Sequence, residues 1–113
     1  MAHTVIDAND VESSNGVFRG LSAPLGVGTF KVNRLELTAG GEGPEHDHTS
    51  SGEEEVYAVV GGSGTVVVDG EEITVRPGHF VFCSPDARRQ MRAGSDGLVW
   101  IGIGATGATG AEG

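Results

Sequence analysis

This chain of 113 residues is short of several things, and each shortage rules something out. It has one cysteine, Cys83, so no disulfide can form within it. It has no apolar run long enough to span a bilayer, and its opening MAHTVIDAND lacks the apolar centre of a secretory signal. Positive charge is scarce: 7 Lys and Arg stand against 16 Asp and Glu, for a formal charge of -9. Such a field repels phosphate backbones and anionic lipid, which excludes nucleic acid and membrane as expected partners. Together these shortages point to a cytoplasmic protein. Aromatic residues are only 5% of the chain, and the apolar segments are too brief for long buried helices.

What the chain does contain is glycine, 20 residues of it, between short valine-rich segments. That pattern predicts an all-β domain, a sandwich or barrel built from brief strands and tight turns. Strands are expected over Val27 to Thr38, Glu55 to Val60, Thr65 to Val68, Glu72 to Arg76, Phe80 to Cys83, Arg89 to Arg92 and Leu98 to Ile103, with GGSG at 61–64 as a turn. VVVDGEEITV is a two-residue hairpin signal, because Asp-Gly readily takes the positive φ values its turn requires. Cys83, within HFVFC, reads as a packed thiol, and Trp100, within GLVWIGIG, reads as core.

The chemistry lies in PEHDHTSSGEEEVYAVVGG, residues 44–62. If Glu45 to His48 is extended, His46 and His48 point to one face with backbones about 6–7 Å apart, since side-chain direction repeats every two residues. Glu53 and Glu55 share a face of the following strand and Glu54 takes the other. The intervening TSSG loop can bring one of that pair beside the histidines. Two imidazoles and a carboxylate with open positions suit a divalent transition metal: iron, manganese, zinc, nickel or copper.

Gly40, then His46 and His48, then a glutamate, then Gly62 leading into SGTVVVDGEEITVRPG, resembles the first signature of the cupin superfamily and its following hairpin, over roughly residues 30–101. The resemblance implies a double-stranded β-helix, a cupin jelly-roll barrel with a divalent metal at its mouth in many members, and often a homodimer. On that frame, residues 1–26 form an N-terminal segment and edge strand, 27–103 the barrel and 104–113 a flexible glycine-rich tail. Counted from His48 the family's glutamate is Glu53; counted back from Gly62 it is Glu55. Glu55 is preferred, because a strand holds its register while a loop absorbs extra residues. Tyr57 and Val59 then face inward with it, Val56, Ala58 and Val60 face outward, and Glu53 and Glu54 fall in a solvated loop.

The second signature departs from the family. Counted from Gly78, the family's proline falls on Ser84, its glycine on Asp86, its metal-binding histidine on Arg89 and its asparagine on Ala93. A guanidinium has no lone pair to give a metal. The metal set implied is therefore His46, His48 and Glu55, with Arg89 and Tyr57 as ligand-binding residues and His79 as a surface turn residue. No catalytic residue is assigned. Two functions fit: a metal-binding cupin taking a small polar or carboxylate-bearing molecule, of oxygenase, isomerase or lyase type; or a metal-free small-molecule-binding, accessory or sensor cupin in which Arg89 holds an anion.

Overall fold

The computed structural model describes residues 2–107. After a 3-10 turn at Ala8–Asp10, six strands and one short α-helix run in the order β1 (Phe18–Gly20), α1 (Ser22–Leu25), β2 (Lys31–Leu37), β3 (Glu54–Val68), β4 (Glu71–Val75), β5 (Phe80–Cys83) and β6 (Arg89–Ala105). All pairings are antiparallel, in the order β1-β2-β6-β3-β4, with β5 also on β3. The chain is all-β, as expected. Among the described residues no helix is long and apolar enough to cross a membrane.

The two longest strands make the barrel. The first part of β3 pairs with the end of β6 (Glu55 with Gly104, Val59 with Trp100), and the last part pairs with its start (Val66 with Met91, Val68 with Arg89). Between these halves the register shifts, at Val59/Gly61 and again at Gly62/Gly64. This corrects the expected GGSG turn: the segment continues the strand and bends it by bulging. Glycine is required there because the backbones touch. A Cβ on Gly62 would stand 2.0 Å from the Gly97 carbonyl oxygen, and one on Gly64 2.1 Å from that of Arg92. The same bend joins the two expected strands at 89–92 and 98–103 into one.

Other boundaries moved for local reasons. β2 begins at Lys31 rather than Val27, because α1 ends on Gly26 at φ 80°, whose N–H closes on Ala23 and Ser22. β6 runs to Ala105, so Gly104 and Ala105, expected in the tail, are strand residues paired with Glu55 and Glu54. Of the rest of that tail, 106–107 are outside any strand and 108–113 lie outside the described residues. The Asp69-Gly70 hairpin forms as read, with φ 49° and 84°.

Inward residues of both halves form one core: Leu37, Tyr57, Val59, Val66, Val75, Met91, Leu98 and Trp100, with Cys83. Burial pushes the Cys83 thiol up, the property of a packed rather than a reactive cysteine. His79 stays in its turn, where its Nδ1 accepts the Arg76 N–H at 3.2 Å.

Candidate metal and ligand site

The His-Asp-His segment is pinned to the start of β6. The backbones of His46 and Arg89 exchange both hydrogen bonds, at 2.9 and 2.8 Å, and the His48 N–H donates to the Pro85 carbonyl at 2.8 Å. The extended backbone turns both imidazoles inward, with ring centroids 5.2 Å apart and planes at 85°. β3 brings Glu55 between them. Ligand atoms of His46, His48 and Glu55 all lie within 4.8 Å of one another. His46 Nδ1 lies 3.2 Å from the Pro44 carbonyl. A carbonyl only accepts, so Nδ1 is the donor of that contact, and Nε2 lies 3.8 Å from Glu55 Oε1.

Glu55 is held firmly by one oxygen. Its Oε1 accepts from the Tyr57 hydroxyl at 2.6 Å and from Arg89 Nη2 at 2.6 Å, with His48 Nε2 at 3.0 Å. Burial works to raise the Glu55 carboxyl, but the Tyr57 and Arg89 hydrogen bonds outweigh it and hold the group below the ordinary carboxylate value. Burial pushes the Tyr57 phenol up, and its bond to Glu55 adds to that, so it stays a donor. These contacts, and His46 Nε2 at 3.8 Å, converge on Oε1.

Arg89 lies inward, where the count from Gly78 puts it, and its residue exposure is 1%. Its guanidinium is committed within the protein: Nε donates to Tyr57 Oη at 3.2 Å, and Nη1 to the Ser84 and Ala87 carbonyls at 3.2 and 2.8 Å. Burial alone would lower its affinity for its proton; the bonds to Tyr57 and Glu55 raise it. Its neighbour Arg88 sits outside, bonded to Glu45 at 2.9 Å with Asp47 at 3.6 Å. Arg92 pairs with Glu72. Both of these outer cations are thus matched by carboxylates of this chain.

Glu53 is the main correction. The sequence places it in a solvated loop, yet its exposure is 4%. Its Oε2 is 3.3 Å from His48 Nε2, and its Oε1 is 3.3 Å from Lys31 Nζ. The cause is Gly104, opposite on β6: a Cβ there would stand 2.8 Å from the Glu53 carboxyl carbon, so the missing side chain is the space the glutamate fills. Glu54 is exposed, as expected. The inward glycines of WIGIG, residues 100–104, were the one sequence signal that something bulky sat across from them.

These groups border a cavity of about 640 Å³. Its lining also includes residues that sequence reasoning left without a site role: Val17 just before β1, Phe18 of β1, Ala23 of α1, and Asn33 and Leu35 of β2.

Compared with known proteins, residues 33–103 match the family described as the cupin domain. The chain belongs to the cupin family. A cupin protein from Bacteroides fragilis is 24% identical at a TM-score of 0.79, over 96% of this chain and 88% of that one. A sugar phosphate isomerase of the cupin superfamily from Silicibacter pomeroyi is 20% identical at 0.78, over 92% and 76%. A predicted oxalate decarboxylase from Thermotoga maritima is 16% identical at 0.76, over 91% and 99%. At these identities the likeness is one of fold. No curated protein matches the sequence. This cupin keeps the two histidines and one glutamate of the first signature in a cluster able to hold a metal, and carries an arginine where the family's second signature has its histidine.

Proposed function

We propose that this cupin holds one divalent transition metal (iron, manganese, zinc, nickel or copper) on His46, His48 and Glu55, and binds a small carboxylate-bearing molecule in the adjoining cavity. The observation that carries this reading is the meeting of three ligand atoms within 4.8 Å at the cavity wall. Bound there, the ion would supply Lewis acidity toward a carbonyl or carboxylate of the ligand. The chain's own residues do the positioning. The Pro44 carbonyl engages His46 Nδ1, which leaves Nε2 for the ion, while Arg89 and Tyr57 hold Glu55 by Oε1. On this reading Arg89 acts through Glu55, and Tyr57 acts both through Glu55 and as part of the wall. Three protein ligands with open positions suit metal-assisted oxygenase, isomerase or lyase chemistry, and two fold neighbours, a sugar phosphate isomerase and a predicted oxalate decarboxylase, fall within that range.

One observation favours a second reading. The Arg89–Glu55 pair at 2.6 Å already places a positive charge where a metal would supply one, as a metal-free binding, accessory or sensor cupin would. Titration calorimetry with zinc separates the two. The metal reading expects about one ion per chain and at least tenfold weaker binding by His46→Ala or His48→Ala. Stoichiometric, tight zinc in the double alanine variant refutes the assigned ligands, and none in wild type favours the metal-free reading.

The assembly belongs to the same proposal. The outward residues of four adjacent strands form a continuous apolar band: Val32 pairs with Ile103, Ile103 with Val56, and Val56 with Phe82. Phe80 and Phe82 are 73% and 59% exposed. An antiparallel sheet that has one face on a core ordinarily keeps its other face polar, and a band of this kind marks an interface. A second copy related by a two-fold axis is the occupant we assign. The band is apolar enough to bury against itself, and Arg34 and Glu36 at its rim offer opposite charges to each other's images. A cytoplasmic location is part of the proposal, resting on the absence of a disulfide and on the buried thiol.

A further inference from the structure

We infer that the ligand of this cavity has an apolar, ring-sized body and a single anionic, chelating end, and is not a phosphorylated sugar. The inference deepens the metal-site reading and rests on it only for the anchored end.

The cavity lining is of two chemical kinds: His46, His48, Glu53 and Glu55 supply ionisable groups, and Val17, Phe18, Leu35, Met91, Trp100 and Pro44 supply apolar surface. Polar groups on the walls are already committed. The Ser22 hydroxyl accepts the Val32 N–H at 2.8 Å, and the Gln90 amide donates to the Gly43 carbonyl at 3.0 Å. The Arg89 guanidinium is spent on Glu55, Tyr57 and two carbonyls. What remains is Asn33 and the exposed Lys31, itself 3.3 Å from Glu53.

A phosphate monoester needs several charge-assisted donors, and each buried sugar hydroxyl needs a partner of its own. This wall offers too few of either, and the carboxylate of Glu53 together with a formal charge of -9 opposes a dianion. An apolar body meets the opposite conditions: Phe18 and Leu35 gain by covering it and lose no hydrogen bonds. At about 640 Å³ the space is within the usual range for a drug-sized molecule, larger than a two- or three-carbon acid fills. The N-terminal segment, through Val17 and Phe18, thereby sets specificity rather than only closing the sheet edge.

The test compares three probes on the zinc-loaded protein by calorimetry. Pyruvate and phenylpyruvate share one chelating end and differ in the ring, and fructose 6-phosphate carries the phosphate. Phenylpyruvate is expected to bind at least about tenfold tighter than pyruvate, the gain from burying a ring, with fructose 6-phosphate no tighter than pyruvate. Phe18→Ala, at a residue 41% exposed and outside the core cluster, should shrink the phenylpyruvate advantage severalfold and leave zinc affinity unchanged. Equal affinity for the two keto acids, tighter binding of the sugar phosphate, or binding of none of the three overturns the inference. Zinc bound stoichiometrically without any preference for the ring overturns this inference and keeps the metal reading. Preference for the ring in a protein that takes up no zinc does the reverse.

Discussion

Replacing Arg89 by methionine removes the positive half of a buried pair while roughly conserving the volume of its stem. The guanidinium side chain is 0% exposed and its partner Glu55 only 11%. Removing one partner strands the other as an uncompensated charge, which costs about 3–5 kcal/mol, a large part of a total stability on the order of 5–15 kcal/mol. Urea unfolding followed by fluorescence of the buried Trp100 reads this directly. At an m-value of about 1.5 kcal/mol/M the midpoint should fall by about 2–3 M. A double variant, Arg89→Met with Glu55→Leu, should be more stable than either single one, since neither charge is then left alone. The pH dependence has a definite sign. The Glu55 carboxyl in the folded protein lies below its ordinary 4.5, so the stability it contributes is complete above that pH and is lost as pH falls through the folded value. Acid should therefore destabilise wild type more than the double variant. A midpoint shift below about 0.5 M for Arg89→Met would show that the pair is not an essential support of the barrel, and the reasoning would fail.

Four further outcomes are expected. Arg89→His should raise metal affinity, by removing a cation beside Glu55 and supplying a third imidazole, while Arg88→His should leave it unchanged; calorimetry showing equal zinc affinity in wild type and Arg89→His counts against the assigned site. Gly64→Ala should lower stability in thermal unfolding by more than about 2 kcal/mol, because its methyl would meet the Arg92 carbonyl at 2.1 Å and backbone cannot step aside; an unchanged melting temperature would mean the bend is soft. Cys83 should react with a thiol reagent far more slowly in native protein than in urea, and rapid native labelling at mildly alkaline pH would contradict its burial. Light scattering should report a dimer at micromolar concentration and a monomer for Phe80→Asp with Phe82→Asp; a wild-type monomer removes the assignment of the apolar band.

What the sequence determined by itself was whatever depends on near neighbours. The alternation His-Asp-His puts two imidazoles on one side of any extended backbone, and Asp69-Gly70 turns because both residues tolerate positive φ. Counting back from Gly62 selected Glu55, and counting on from Gly78 selected Arg89 over Arg88, since strand parity carries over a few residues without error. The all-β class followed from the same short-range periodicity.

The tertiary structure decided what depends on residues far apart in the chain. GGSG reads as a turn in isolation, and 93–97 as a break between two strands, yet both continue strands, because their glycines meet backbone carbonyls across the barrel that no local pattern announces. Glu53 looks solvated beside TSSG; it is buried because Gly104 leaves it room and Lys31 and His48 compensate its charge. Arg89 was legible as an inward cation, but its commitment to Glu55, 34 residues away, and to Tyr57, 32 away, appears only when β3 and β6 lie side by side. Part of the cavity lining likewise comes from Val17, Phe18 and Ala23, in a stretch that carries no site motif and joins the cavity only through the fold. Period and turn chemistry act over a few bonds and can be read from order alone, whereas desolvation, charge compensation and the shape of a cavity exist only between surfaces that folding has brought together.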